Sequence, residues 1–299
     1  MSTPTAQTLT IPTLSLADFT EGDADKRAQF VNDLGQAYEE YGFVAIVNHS
    51  LDEDLQGKLY DSVKAFFALA DDVKEKYNIE GLAGQRGYTP KRQEHAKDSN
   101  VGDLKEFYHV GQEVTDGDPI KEEYPDNVWP DELPEFKTHT LEAYRRLEGD
   151  GRQMLRAIAL YLGLDEAYFE DKVHNGNSIL RPIHYFPLDP KDVQEGAVRA
   201  GAHEDINLIT LLMGASASGL EILSKKGDWI GVTALPGAIV VNVGDMLQRL
   251  TNNKLRSTTH RVVNPPSDDL TQPRYSIPFF LHPRSEMDLS VLDSCIDEN

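Results

Sequence analysis

Apolar residues in the first third of the chain recur at helical steps. From Asp25 to Tyr41, the residues Ala28, Val31, Leu34, Tyr38 and Tyr41 fall three or four positions apart, which predicts one buried helix face that Gly42 brings to a stop. Leu55, Leu59, Val63, Phe66, Phe67 and Ala70 mark a second helix, and the short β-branched run from Phe43 to Asn48 predicts a buried strand between the two. Gly81 to Val110 is polar, contains glycine and has no helical period, so it reads as loop and short strand. A long helical pattern returns at Phe136, Thr140, Tyr144, Leu147, Met154, Leu155, Ile158 and Leu162, with Gly149 and Gly151 arguing against one unbroken rod.

After about Ser178 the pattern changes to short strands between turn residues. Ile179–Tyr185, Asn207–Leu212, Leu220–Leu223, Ile239–Val243 and Arg274–Phe280 are the predicted strands. Gly214, Gly219, Pro236-Gly237, Gly244-Asp245 and Pro265-Pro266 punctuate them. Closely spaced strands of this kind suggest a sandwich, jelly roll or barrel, here fronted by helices from the first half. No internal repeat and no linker rich in Pro, Gly or Ser separates two units. The expectation is one composite domain over 1–299, with a mixed helical region at 1–177, most of the β core at 178–285 and a tail at 286–299.

Composition narrows the partners. The chain carries 29 Lys and Arg against 50 Asp and Glu, a net charge of −21, which disfavours nucleic acid and anionic membrane surfaces and predicts a solvated, salt-tolerant surface. One cysteine, Cys295, allows no internal disulfide and points to a reducing compartment. Residues 1–20 hold no basic start followed by an apolar segment, and the longest uncharged stretch, Ile206 to Leu220, is broken by polar residues and glycine. A cytoplasmic, unanchored protein with no obligate protein partner is expected.

The candidate chemistry lies in His203-Glu204-Asp205 and in His260, 57 residues after His203. On a strand, His203 and Asp205 would share one face while Glu204 points away. A second imidazole from a distant strand would complete two histidines and one carboxylate on one side of a metal, a set suited to non-haem Fe(II). The competing reading is polar residues at a strand end. In Arg274-Tyr275-Ser276 the same alternation sets a guanidinium beside a hydroxyl, a fork matched to a carboxylate, against the plainer reading of an exposed edge-strand arginine.

Taken in order, these motifs resemble the isopenicillin N synthase-like branch of the Fe(II)/2-oxoglutarate-dependent oxygenases. The resemblance runs through Ile11-Pro12 with the Phe19 region, Tyr41-Gly42-Phe43 before Asn48-His49, and Ile183-His184-Tyr185-Phe186-Pro187. It continues through the His203 motif, Gly244 to Gln248, Leu250 to Asn253, His260-Arg261-Val262 and Arg274-x-Ser276. It implies an α+β fold with a double-stranded β-helix (jelly-roll) core and flanking α-helices. It also implies Fe(II) on His203, Asp205 and His260, and a cosubstrate carboxylate on Arg274 and Ser276, with Tyr185 as a further contact or a core tyrosine. The activity implied is a dioxygenase that uses O2 and decarboxylates 2-oxoglutarate to succinate and CO2 while hydroxylating or desaturating a small molecule.

Two other readings compete: an oxidase like isopenicillin N synthase that does not use 2-oxoglutarate, and a non-enzymatic jelly-roll binding protein. The synthase keeps an Arg-x-Ser pair, so that motif does not separate the two chemistries. Its pattern, however, carries a tyrosine where Pro187 stands and a glutamine near the C-terminus that Asp293 to Asn299 lacks, and both departures favour 2-oxoglutarate. Ile183-His184-Tyr185 departs from the Asn-Tyr-Tyr of plant flavonoid enzymes. Arg86 and Tyr88 are the substrate candidates, with Tyr108 and Arg181 as further residues able to anchor an anionic substrate; packing is the competing role for each. His184 and His282 read as structural histidines, and Asp245 as a turn residue.

Overall fold

The computed structural model describes residues 8–91, 104–115, 117–187, 199–213, 219–233, 235–263 and 271–296. The turn residues Gly214, Pro265 and Pro266 lie outside these. In chain order the elements are β1 (Thr8–Thr10), β2 (Thr13–Ser15), α1 (Leu16–Thr20), α2 (Ala24–Glu40), β3 (Phe43–Val47), α3 (Glu53–Phe67), α4 (Asp71–Lys74), β4 (Gly87–Thr89) and β5 (Glu106–Gly111). Then follow α5 (Pro134–Tyr161), α6 (Glu170–Val173), β6 (Ile179–Leu180), β7 (Ile183–Tyr185), β8 (Ala200–His203), β9 (Ile209–Met213) and β10 (Leu220–Leu223). The last are β11 (Trp229–Thr233), β12 (Ile239–Val243), α7 (Asp245–Leu250), β13 (His260–Val262) and β14 (Arg274–Leu281).

The helices begin and end where their side chains dictate. Asp23 caps α2 by accepting from the Lys26 N–H at 3.0 Å, and Asp52 caps α3 through the Leu55 N–H at 2.8 Å. Gly42 closes α2 at φ +72°, donating to Ala37 O at 3.2 Å, where a Cβ would sit 2.3 Å from Arg256 O. Helix α5 runs unbroken through both glycines. Gly151 faces the core, and a Cβ there would meet Leu281 Cδ1 at 2.5 Å, so its bare backbone lets the helix lie against the sheet.

Two sheets face each other. The smaller has the order β1-β11-β10-β13-β8; the larger runs β2-β3-β12-β9-β14-β6-β5-β4, with β7 bridging β14 and β5. This is the jelly-roll core, with the helices packed outside the larger sheet. Residues before 178 contribute five strands, β1 to β5, besides the flanking helices, and one apolar cluster reaches from Leu16 to Cys295. Pro182, with no N–H to give, divides the expected strand Ile179–Tyr185 into β6 and β7. Among the described residues no helix is long and apolar enough to cross a membrane.

Candidate active site

The two sheets supply different parts of one cavity of about 650 Å³, counting its open mouth. His203 ends β8 and His260 begins β13, and the two are directly paired across the ladder. Their ring centroids lie 4.4 Å apart. Asp205 lies beyond the end of β8, in the connection to β9. Strand alternation is therefore not what brings it beside His203: the chain turns out of the strand and returns the carboxylate to the same side.

The ligating atoms of His203, Asp205 and His260 all lie within 4.8 Å of one another. Asp205 Oδ1 is 3.7 Å from His203 Nε2 and 3.8 Å from His260 Nε2, close enough to share one ion. His203 Nδ1 donates to Gly201 O at 2.7 Å and His260 Nδ1 to Thr258 O at 3.1 Å. A carbonyl can only accept, so each Nδ1 carries a hydrogen and each Nε2 is the ring atom turned toward the carboxylate. Phe43 packs edge-on against the His260 ring at 5.6 Å and fixes its plane.

The larger sheet holds the carboxylate. Thr210 Oγ1 donates to Asp205 Oδ2 at 2.6 Å and Asn242 Nδ2 donates to the same oxygen at 2.8 Å, leaving Oδ1 for the imidazoles. Asn207 Nδ2 in turn donates to Thr210 Oγ1 at 2.8 Å, orienting that hydroxyl. Burial pushes the Asp205 carboxyl up, but the His260 and His203 imidazoles and the Asn242 and Thr210 hydrogen bonds outweigh it. The group is held below the usual aspartate range. Two imidazole Nε2 atoms and a carboxylate with an open side are a donor set that fits Fe(II).

Along β14, Arg274, Ser276, Pro278 and Phe280 alternate into the cavity. Arg274 is buried, and its Nε and Nη1 have no hydrogen-bond partner among the described residues. Two unpaired N–H groups of a buried guanidinium are costly alone and complementary to a carboxylate. Tyr185 pairs with Arg274 and Ile183 with Ser276 across β7, and the Tyr185 ring lies 4.8 Å under the guanidinium. Tyr185 thus supports Arg274 from the cavity wall.

The structure does not bring Arg86 and Tyr88 to the cavity. Arg86 is buried against Gly111, donating to Gln85 O at 2.8 Å and Asn177 Oδ1 at 3.4 Å. Tyr88 donates to Glu106 at 2.5 Å, inside a buried network in which Lys74 and His184 also meet that carboxylate at 2.8 and 2.7 Å. Both side chains therefore serve packing, because the β4–β5 hairpin folds that face inward. Tyr108 is likewise core, donating to Val128 O. His184 and His282 are structural, and Asp245 opens α7 rather than a simple turn. Among the cavity-lining residues that the sequence does not single out are Thr210, Asn242 and Lys105. The first two are polar positions inside the apolar runs of β9 and β12, where a buried polar group must have a partner.

Known proteins share this architecture and order of motifs. Residues 11–132 match the model of the non-haem dioxygenase in morphine synthesis N-terminal family, and residues 177–283 match that of the 2OG-Fe(II) oxygenase superfamily. A 2-oxoglutarate-Fe(II) type oxidoreductase of Emericella nidulans is 31% identical, over 95% of this chain and 82% of its own length. A proline hydroxylase of Petromyces alliaceus is 33% identical, over 96% and 91%. A solved Caulobacter crescentus protein assigned to the 2OG-Fe(II) oxygenase family has a TM-score of 0.86 at 43% identity, covering 98% of this chain and 92% of that one. A Neurospora crassa protein, solved in complex with alpha-KG and thymine, has a TM-score of 0.84 at 30% identity over 96% and 90%.

Proposed function

The chain belongs to the 2-oxoglutarate/Fe(II) oxygenase family, and from that membership we propose that His203, Asp205 and His260 hold the iron while Arg274 and Ser276 grip the distal carboxylate of 2-oxoglutarate. The enzyme is a dioxygenase that needs Fe(II), 2-oxoglutarate and O2. When bound, these supply the oxidation: 2-oxoglutarate is decarboxylated to succinate and CO2 as substrate is hydroxylated or desaturated. The observation that carries the residue roles is the buried, unpaired Arg274 guanidinium in the same cavity as the two imidazoles and the carboxylate.

Each residue has a definable task. His203 and His260, with Nδ1 tied to backbone carbonyls, present Nε2 in a fixed direction. Asn242 and Thr210 keep Asp205 ionised and aimed. Arg274 and the Ser276 hydroxyl orient the cosubstrate from the opposite sheet, and the apolar wall of Ile183, Leu212, Leu220 and Val262 excludes water. The substrate is a small molecule of a size that fits the cavity, a reading supported by the Neurospora relative, which was solved in complex with alpha-KG and thymine.

The test is an anaerobic titration of 2-oxoglutarate into Fe(II)-loaded protein. A visible metal-to-ligand charge-transfer band is expected, and succinate is expected on admitting oxygen. Arg274→Ala leaves iron binding intact and weakens 2-oxoglutarate binding by about two orders of magnitude or more, since breaking a buried charge pair costs roughly 3–5 kcal/mol. His260→Ala abolishes tight iron binding. Wild-type affinity for 2-oxoglutarate in Arg274→Ala, or undiminished iron stoichiometry in His260→Ala, would overturn these roles.

A further inference from the structure

Beyond the metal ligands the interior of the roll opens a second time. On β10, Leu220 turns into the active-site cavity, while Ile222, two residues on and so on the same strand face, turns into a separate cavity of about 680 Å³, counting its open mouth. The two cavities share no lining residue among those described. They lie back to back: Ile222 pairs with His260 across the ladder, and Thr258, whose carbonyl accepts from His260 Nδ1, belongs to the wall of the second cavity. Its volume falls within the range of about 300–1,000 Å³ usual for small-molecule sites.

The floor is apolar and the rim is charged. Leu9 on β1, Tyr41 at the end of α2 and Ile230 on β11 pack half-buried against the core cluster that holds Ile222 and Phe43, so they present hydrocarbon and one aromatic ring to the cavity. Lys225, Lys226 and Arg256 stand around it against two acids, Glu40 and Asp228. In a chain of net charge −21 this is a local excess of positive charge. Lys225 reaches Glu40 Oε2 at 3.5 Å, but the half-buried Arg256 guanidinium has no hydrogen-bond or ion-pair partner among the described residues. The backbone that carries it is fixed all the same. The Arg256 N–H donates to Tyr38 O at 3.3 Å, and its carbonyl packs so closely on Gly42 that a Cβ there would come to 2.3 Å. The turn that carries the two lysines is equally well held: Ser224 Oγ accepts from the Asp228 N–H at 3.1 Å, and the Ser224 N–H donates to Asp228 O at 2.9 Å.

We propose that this cavity is a second small-molecule site that takes a monocarboxylate with a short apolar tail, the tail lying on Leu9, Tyr41, Ile222 and Ile230 and the carboxylate meeting Arg256. A guanidinium offers paired N–H donors matched to two carboxylate oxygens, and removal of the tail from water supplies the rest of the affinity. Lys226 adds positive charge at the mouth. The site lies outside the cavity that holds the metal ligands and Arg274, so it goes beyond the oxygenase reading and does not depend on it.

The test is titration calorimetry on full-length protein loaded with Mn(II) and saturated with 2-oxoglutarate, which keeps the Arg274 end of the active-site cavity filled. Hexanoate and octanoate are compared with hexanamide and octanamide. Octanoate is expected to bind about fivefold or more tighter than octanamide, as one half-exposed ion pair allows, and more tightly than hexanoate. Rising sodium chloride is expected to weaken the acid and leave the amide unchanged. Arg256→Met is expected to abolish the acid preference by weakening the acid alone, and Ile230→Ala to weaken acid and amide severalfold by the same factor. Both variants are expected to keep the wild-type affinity for 2-oxoglutarate, which shows that they are folded. The proposal is overturned if octanoate does not outbind octanamide in the wild type, or if the preference survives Arg256→Met, which would place the acid elsewhere on the protein.

Discussion

Replacing Asn242 with leucine deletes one of the two hydrogen bonds that Asp205 Oδ2 accepts while keeping the number and branching of side-chain heavy atoms in the buried centre of β12. The lost contact is a 2.8 Å bond from an amide to an ionised carboxylate, and the Thr210 bond at 2.6 Å remains. A hydrogen bond to a charged group contributes roughly 1.5–3 kcal/mol, which corresponds to about 10- to 150-fold in an equilibrium constant. Asn242→Leu should therefore weaken Fe(II) binding by about one to two orders of magnitude, the range expected when support behind a metal ligand is removed. Thr210→Val should weaken it similarly and also destabilise the metal-free protein. The Thr210 hydroxyl is the acceptor for Asn207 Nδ2, and Asn207 Oδ1 is already buried without a partner among the described residues. Stranding that second group adds roughly 1–3 kcal/mol of instability. Anaerobic competition with a chromophoric chelator measures the affinity, and denaturant unfolding of metal-free protein measures the stability. Iron affinities within twofold of wild type in both variants would refute the view that the larger sheet tunes this carboxylate, and equal stability of the two would refute the role assigned to Asn207.

The two glycines of α5 should respond with opposite signs. Gly149→Ala meets nothing within 4 Å and should stabilise by up to about 1 kcal/mol, whereas Gly151→Ala, whose Cβ would crowd Leu281 and Leu211, should cost about 1–3 kcal/mol by chemical denaturation. Burial raises the Glu106 pKa, but hydrogen bonds from His184, Lys74 and Tyr88 outweigh it and hold the carboxyl below the usual glutamate range. Its contribution to stability is thus complete above the unfolded-state pKa and is lost as pH falls through the lowered folded value. Glu106→Gln should flatten that acid limb and, by leaving Lys74 with Asp71 as its remaining carboxylate, cost roughly 1.5–3 kcal/mol at neutral pH; an unchanged pH–stability profile would contradict it. The net charge of −21 predicts a melting temperature that rises with sodium chloride as surface repulsion is screened, and a fall across the salt series would count against it.

The sequence was most legible where local pattern and burial agree. The expected strands Leu220–Leu223 and Ile239–Val243 are β10 and β12 to the residue, and the helix expected from Asp25 is α2 displaced by one position. The three side chains that could hold a metal are legible as an ordered motif, but strand alternation does not account for the first pair: Asp205 reaches His203 through a turn. Strands β1 and β11 pair in parallel across more than two hundred residues, and β13 has three residues, so neither leaves a strong periodic signal. Arg86 and Tyr88 have the polarity of binding residues, and only the packing of the β4–β5 hairpin turns them toward Asn177 and Glu106. Arg181 does line the cavity, and His109, Phe107 and Phe280, which fix the direction of its guanidinium, stand on strands that its local sequence does not reveal.

The division of the site between the sheets has a mechanical consequence. Both imidazoles belong to the smaller sheet, and everything that steadies the carboxylate belongs to the larger one. His203 stands on β8, which ends the strand order of its sheet and pairs with β13 alone among the described residues. An ion bound between them acts as a rivet across the mouth of the roll, joining an outermost strand to the wall opposite. At a free iron concentration a hundred times the dissociation constant, linkage adds about 2.7 kcal/mol to the folded state. That gain should appear unevenly, as slowed amide exchange in β8 and β13 and little change in β10 or α5. Occupancy of the metal would then be readable from the backbone of a four-residue strand, before any substrate arrives.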